Sequence, residues 1–212
     1  MRNLTACLVL AVLPLLALGP VCAYPTSLNI IPTADPMARG DVRLEVEWDG
    51  ATTPLGTGGS VGTYLQVGVT DRLEVGLDVL DLNHRADWQF NLKVLVQAES
   101  ASCPAIAVGL MDVGDAPLAN AYLVMSRQVG PVRVHAGLSR TAGTQGLFGL
   151  EYYWDDLTGG LLDWTTGPEG YATVGLYRDL GRSLYGVLYY ARGNARGADD
   201  FVGLDIYTEF AW

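Results

Sequence analysis

The C-terminal stretch Val202-Gly-Leu-Asp-Ile-Tyr-Thr-Glu-Phe-Ala-Trp212 decides the fold prediction, because its residues alternate strictly in polarity. One set of alternate positions carries Val202, Leu204, Ile206, Thr208, Phe210 and Trp212. The other set carries Gly203, Asp205, Tyr207, Glu209 and Ala211. Side chains of a β-strand point alternately to its two faces, so this pattern predicts a strand with one apolar and one polar side.

The end of this strand resembles the C-terminal assembly signal of bacterial outer-membrane barrels. The matching residues are the terminal Trp212 and Phe210 two positions earlier, whereas Tyr207 stands where that signal often has glycine. The resemblance implies that the barrel assembly machinery reads Phe210 and Trp212. The alternative is a buried C-terminal strand in a soluble protein.

The same period of two recurs along the chain, with no competing helical period. Clear apolar faces begin at Val42, Val61, Leu73, Trp88, Ile106, Val132 and Phe148. The opposite faces mix charges with Gly, Gln, Asn and Tyr, which suits a narrow polar lumen. Aromatic residues near strand ends are typical of interfacial girdles, here Trp48, Trp88, Trp154 and Trp212. A soluble sandwich or lipocalin-like barrel would alternate as well, with its apolar face inward.

Strand counting predicts an all-β fold, a closed antiparallel up-and-down transmembrane β-barrel. Eleven segments are clear, and Gly160 to Thr166 supplies a twelfth, with ten strands as the fallback. Tight turns near Asp71, Gly130, Asp155 and Asp179 then fall on one side, and the longer connections fall on the other. Short periplasmic turns and longer outer loops are the asymmetry expected of bacterial barrels.

Residues 1–23 are predicted to be a secretory signal peptide. Arg2 precedes an apolar run from Leu8 to Leu18, and Val21-Cys22-Ala23 provides small or modest residues for a signal-peptidase cleavage site. A retained membrane helix fits less well because the run is short and contains Pro14. A lipoprotein modified at Cys22 is also disfavoured, because the residues before it, Gly19-Pro20-Val21, do not resemble the small-residue lipobox. We therefore expect a lead segment over 24–41 and an outer-membrane barrel over 42–212 in a Gram-negative-type envelope.

The lead segment contains Asn29-Ile30-Ile31-Pro32-Thr33-Ala34-Asp35, which resembles the start of some outer-membrane barrels, among them the YjbH-like proteins linked to exopolysaccharide production. The resemblance covers about ten residues. It implies barrel membership and a role connected with polysaccharide. Pro25, Pro32 and Pro36 favour an extended backbone, so the segment is expected either to lie in the periplasm or to enter the lumen.

Composition argues against several classes of function. The formal net charge of -10 disfavours nucleic-acid binding, which normally needs a basic face. Cys103 remains alone once the signal peptide is removed, and a catalytic cysteine would need a base beside it. His84 and His135 stand without a local ligand cluster, so no metal site and no cofactor are expected.

The polar faces predict a set of charged side chains that point into the lumen. They are Arg43, Glu45, Glu47, Glu74, Asp78, Lys93, Arg133, His135, Glu151, Asp205 and Glu209. An acidic lumen would favour cations, but these charges can equally pair across strands, as Arg43 could with Asp205 or Glu209. We also expect a lumen position such as Asn91 to tolerate a charge better than the lipid-facing Leu92.

Three functions remain open. The first is a non-enzymatic narrow pore or structural barrel, porin-like, in contact with outer-membrane lipids and small solutes. The second is a component of exopolysaccharide production or export. The third is a membrane-embedded lipid-modifying enzyme; His135 and Ser139 share a face but lie about 13 Å apart along one strand, so His135 would need a serine on a neighbouring strand.

Overall fold

The computed structural model describes residues 26–52, 58–82, 86–114, 120–140 and 143–212. The predicted signal peptide, residues 1–23, lies outside this described part. The strands are β1 (Asp41–Ala51), β2 (Ser60–Thr70), β3 (Leu73–Leu80), β4 (Asp87–Gln97), β5 (Ala105–Val113), β6 (Ala121–Val129), β7 (Val132–Arg140), β8 (Thr144–Tyr153), β9 (Thr158–Thr165), β10 (Tyr171–Gly181), β11 (Leu184–Gly193) and β12 (Phe201–Ala211). Within the described ranges, no helix has the length and apolar character needed to cross a bilayer.

The twelve strands form one closed antiparallel barrel in which each strand pairs with its neighbours in sequence. Closure is made by β1 and β12, whose register runs from Asp41 opposite Ala211 to Ala51 opposite Phe201. A closed sheet leaves no unpaired edge, which is what a sheet in hydrocarbon requires. The prediction of a twelve-strand up-and-down barrel is confirmed; the ninth strand, expected at 160–166, is Thr158–Thr165.

The two ends of the barrel differ in their connections. Tight turns join β2 to β3, β6 to β7, β8 to β9 and β10 to β11 at the end where β1 begins and β12 finishes. We call this the short-turn end; it also carries the connection over 98–104. The opposite, long-loop end carries the connections that follow β1, β3, β5, β7, β9 and β11.

The outer surface is apolar because alternate strand residues point away from the lumen. Leu188 on β11, Val174 on β10 and Leu138 on β7 are all more than half exposed. Tryptophans flank this band at both ends. Trp88 and Trp164 lie toward the long loops, and Trp154 and Trp212 lie toward the short turns. The arrangement matches a hydrocarbon-facing band between two aromatic girdles.

The interior is filled by the chain's own residues 26–40, which we call the lumen segment. Its backbone reverses where Leu28 N–H donates to Ile31 O at 3.0 Å and Thr33 N–H donates to Thr26 O at 3.1 Å. The tip of this hairpin, Asn29 and Ile30, is buried, and Ile31 has no exposed surface. The segment leaves at the short-turn end, where Gly40 (φ 86°) leads directly into β1.

Candidate functional site in the occupied lumen

An aspartate on β9 holds the tip of the lumen segment. The Asp163 carboxylate accepts hydrogen bonds from the backbone N–H groups of Asn29 and Ile30, each at 2.9 Å through Oδ2. Its Oδ1 accepts one from the hydroxyl of Thr173. That hydroxyl in turn accepts a hydrogen bond from the Asn29 side-chain amide at 2.8 Å. Hydrogen bonds to a charged acceptor contribute about 1.5–3 kcal/mol each, so Asp163 is a principal anchor.

A buried ion pair holds the two ends of the hairpin together. Glu74 accepts hydrogen bonds from the backbone N–H groups of Thr26 and Met37, both at 2.9 Å. Lys93 lies 3.7 Å from the Glu74 carboxylate and donates to the carbonyl oxygens of Thr26 (2.8 Å) and Asp35 (3.2 Å). Glu74 is 1% exposed and Lys93 is fully buried. A buried charge is tolerated only when it is paired and hydrogen-bonded, and the segment backbone supplies most of those bonds.

Arg133 on β7 binds the segment at the short-turn end. Its guanidinium donates to both carboxylate oxygens of Asp35, at 2.6 and 2.8 Å. It also donates to Glu99 in the 98–104 connection at 2.7 Å. The Gln128 backbone N–H and the Arg133 guanidinium hold the pKa of the Glu99 carboxyl below its usual range.

Glycines on the inner wall leave the space that the segment occupies. A Cβ atom at Gly68 would lie 1.9 Å from the backbone oxygen of Ala38, and one at Gly149 would lie 2.4 Å from the Leu28 side chain. A Cβ at Gly175 would lie 2.1 Å from the Asn29 side chain. A backbone neighbour cannot move aside as a flexible side chain can, so Gly68 is the position that least tolerates a larger residue.

A serine, a histidine and a glutamate form a linear array on neighbouring strands. Ser126 Oγ lies 2.8 Å from His135 Nδ1, and His135 Nε2 lies 3.2 Å from Glu151 Oε1. The three residues contact one another in the serine–histidine–carboxylate order of a hydrolase triad. However, Ser126 is 1% exposed and its Oγ accepts a hydrogen bond from the Ala34 backbone N–H at 2.8 Å. The lumen segment therefore occupies the position that a substrate would need.

Acidic side chains gather where β1 meets β12. Glu47 lies opposite Asp205 in the register, with Asp49 beside it on the same face. The Tyr64 hydroxyl donates to Glu47, and the Tyr189 hydroxyl lies 2.6 Å from Glu47 and 3.0 Å from Asp49. These donors offset part of the repulsion between the carboxylates.

The remaining lumen charges predicted from sequence also lie on the inner wall. Asp78 is buried and accepts a hydrogen bond from Asn91. Arg43 donates to Glu209 at 2.6 and 2.9 Å and lies 3.9 Å from Glu45. The Arg43 pairs connect β1 to the neighbouring β12 at Glu209 and to the next position on the same face at Glu45. Glu151 lies 3.8 Å from Arg133.

The two residues of the predicted assembly signal lie at the short-turn end. Phe210 is 47% exposed and points outward, and Trp212 is 81% exposed beyond the last strand. The Trp212 backbone N–H donates to Gly40 O at 2.9 Å. Within the described residues, no group of three or more His, Cys, Asp or Glu side chains could hold a metal ion; His84 lies outside them.

Sequence reasoning missed several residues of this site. Asp35, Ser126, Asp163 and Thr173 were not among the predicted lumen groups, although each contacts the lumen segment or its anchor. For Asp163 the signal was weak, since Gly159-Gly160-Leu161-Leu162 before it gives no clear alternation.

Comparisons with known proteins match the chain to a protein family and to solved structures. A family model described as exopolysaccharide biosynthesis protein YbjH (YjbH) matches residues 31–152, from the lumen segment into β8. The N-terminal β-barrel domain of Pseudomonas aeruginosa OprF is similar at a TM-score of 0.29 and 10% identity, over 82% of this chain and 100% of that chain. This likeness is too distant to carry an inference. No curated protein matches the chain.

Proposed function

The chain belongs to the YjbH exopolysaccharide biosynthesis family, and on this premise we propose that it is a non-enzymatic outer-membrane barrel that takes part in exopolysaccharide production. In this proposal the signal peptide directs export, and the assembly machinery inserts the barrel by reading Phe210 and Trp212. The short-turn end then faces the periplasm. The apolar outer band and its two tryptophan girdles support a membrane location.

One observation carries the proposal that the barrel is closed at rest. The lumen segment crosses the interior and is held by Asp163, Glu74, Lys93, Ser126 and Arg133, which lie on five different strands. A freely open pore would require the loss of all these contacts. We therefore favour a plugged barrel over an open pore for small solutes.

The contacts of Ser126 favour a structural role over a catalytic one. A nucleophile must reach its substrate, whereas Ser126 Oγ is buried and already bonded to Ala34. The Ser126–His135–Glu151 array instead links β6, β7 and β8 to the segment. These contacts support a non-enzymatic barrel over a lipid-modifying enzyme.

A gene deletion with complementation tests the proposed function. Deleting the gene in the native bacterium should lower secreted exopolysaccharide, and the intact gene should restore it. Complementation with His135→Ala should also restore it, provided that the variant is found in the outer-membrane fraction. Unchanged exopolysaccharide in the deletion strain would overturn the proposed role. Loss of exopolysaccharide with a normally inserted His135→Ala barrel would favour the enzyme.

A further inference from the structure

The outward positions of the strands carry charge of one sign only. Residues paired across neighbouring strands share a face, so the register shows which charged side chains point away from the lumen. Within the twelve described strands, those at outward positions are all arginines: Arg127, Arg140, Arg178 and Arg192. The aspartates and glutamates of these strands take inward positions, although the chain holds 23 acidic against 13 basic residues. The outer wall is therefore matched to anionic headgroups.

One of these outward arginines is available to a ligand. Arg127 donates to the Ala101 carbonyl oxygen at 2.9 Å, and Arg178 donates to the Thr158 hydroxyl, so both have protein partners. Arg192 is the last but one residue of β11 and lies exposed at the long-loop end. Within the described ranges its guanidinium makes no hydrogen bond or ion pair. A guanidinium has several N–H donors, and those of Arg192 are free to bind an anion.

A notch in the outer wall lies beside Arg192. The register places Trp164 on β9, Ala172 on β10 and Arg192 on β11 in one row. Ala172 has the smallest side chain of the three, so a depression separates the indole from the guanidinium. Phe148 stacks on Trp164 with ring centroids 5.6 Å apart and extends the apolar side of the notch. Tryptophan prefers the level of the headgroups, so the notch lies at that level.

The connection between β11 and β12 completes the notch and brings a second guanidinium to it. A cavity of about 550 Å³ is lined by Ala172, Arg192 and Arg196, together with small residues of this connection. Ligand pockets have volumes of about 300–1,000 Å³. Asn194 orders the connection, because its Oδ1 accepts from Trp164 Nε1 at 3.2 Å and its amide donates to two backbone carbonyls at the end of β9, both at 2.7 Å.

The carboxylate of the cavity lining is already bonded to the protein. Asp200 accepts hydrogen bonds from the Tyr190 hydroxyl at 2.6 Å and from the Gly193 backbone N–H at 3.2 Å. Asp199 is exposed and does not line the cavity. Among the described residues, the lining therefore presents two guanidinium groups against one bonded carboxylate. Its net charge is positive in a protein that is acidic as a whole, which favours an anionic ligand.

We propose that this notch binds the phosphate of an anionic lipid headgroup in the leaflet at the long-loop end. Guanidinium groups bind phosphate oxygens through paired, charge-assisted hydrogen bonds, and Arg192 and Arg196 supply two of them. The acyl chains of the same lipid lie on the apolar wall that Leu162 and Val174 continue toward the middle of the barrel. A free phosphate would leave this wall unused. The assignment needs the membrane location proposed above but not the role in exopolysaccharide production.

Lipid binding to the purified full-length barrel tests the proposal. The barrel in a nonionic detergent is titrated with phosphatidic acid or with phosphatidylcholine of the same acyl chains, in which choline balances the phosphate charge, and bound lipid is counted by native mass spectrometry. Each arginine beside an anionic headgroup raises the affinity about fivefold, so phosphatidic acid should bind about 25-fold more tightly than phosphatidylcholine. The double variant Arg192→Gln/Arg196→Gln should lose about this factor in affinity for phosphatidic acid. The matched control Arg39→Gln/Arg72→Gln, which removes two exposed arginines at the short-turn end, should stay within about twofold of the wild type.

Three results would overturn the lipid site. Equal affinities of the wild-type barrel for the two lipids would do so, and this comparison needs no variant, so misfolding cannot obscure it. Equal losses in the two double variants would show that general charge attraction explains the preference. Inorganic phosphate in about a hundredfold molar excess should leave phosphatidic acid bound, because it has no acyl chain to bury. Displacement would assign the two guanidiniums to free phosphate.

Discussion

Asp35 and Arg133 are 98 positions apart in the sequence and are joined by two hydrogen bonds of 2.6 and 2.8 Å between carboxylate and guanidinium. Asp35 belongs to the segment that precedes the barrel, and Arg133 belongs to the inner wall of β7. This paired geometry adds directional specificity to the charge attraction. Together with Asp163 at the other end, it fixes the lumen segment at two separate levels of the barrel.

Removing the Asp163 carboxylate should loosen the tip of the segment. Asp163→Ala leaves the backbone N–H groups of Asn29 and Ile30 without their acceptor, at a cost of about 2–6 kcal/mol for the two buried donors. We expect current fluctuations in planar bilayers that the wild-type barrel lacks. Asp155→Ala removes an acceptor of a backbone N–H in an exposed turn and should leave the current unchanged. An Asp163→Ala barrel whose current is as steady as that of the wild type would contradict the anchoring role of Asp163.

The depth of an outward-facing position should determine the cost of a charge there. Leu188 lies near the middle of β11, and Val129 lies at the short-turn end of β6; both are more than half exposed. An arginine costs about 2–4 kcal/mol at the bilayer midplane and about 0–1 kcal/mol near the interface. Leu188→Arg should therefore fold into liposomes far less efficiently than Val129→Arg. Equal folding yields would show that this band does not face lipid.

Deleting Trp212 should reduce outer-membrane insertion if the C-terminal strand is an assembly signal. The residue is 81% exposed, so its loss removes little packing from the barrel itself. Phe210→Ala should act in the same direction, and Glu209→Ala, on the inner face between them, should be milder. Cell fractionation measures the three levels. Normal insertion of both the deletion and Phe210→Ala would refute the signal.

Acidification should weaken the contact between the 98–104 connection and the barrel. The pKa of Glu99 is lowered by the Gln128 backbone N–H and by Arg133. Glu99 therefore stabilises the fold above the ordinary glutamate pKa of about 4.3, and this contribution is lost as the pH falls through the lowered value. The melting temperature of Glu99→Gln should lie below that of the wild type at pH 7 and equal it in strong acid. A difference that persists in acid would contradict this assignment.

The wall of the barrel was predictable from the sequence, whereas its contents were not. Alternation of apolar and polar residues along a strand indicates whether each side chain points into or out of the barrel. The alternation that begins at Val42 predicted Leu44 outward and Glu47 inward, as the structure shows. The contact of Ala34 with Ser126 spans 92 positions, and no local pattern encodes it. The greater tolerance of a charge at Asn91 than at Leu92 stays a prediction; Asn91 is 4% exposed, donates to Asp78 and accepts a hydrogen bond from the Asp112 backbone N–H.

The accessibility of Ile31 tests most directly whether the lumen segment closes the barrel. Ile31 has no exposed surface, and Ser102 in the 98–104 connection is exposed. In a Cys103→Ser background, Ile31→Cys and Ser102→Cys are reconstituted in liposomes, checked for heat-modifiable migration and treated with a small water-soluble maleimide. An opening free energy of about 3 kcal/mol would make Ile31→Cys react about a hundredfold more slowly than Ser102→Cys. Equal rates in the folded barrels would contradict a lumen closed by its own N-terminal segment.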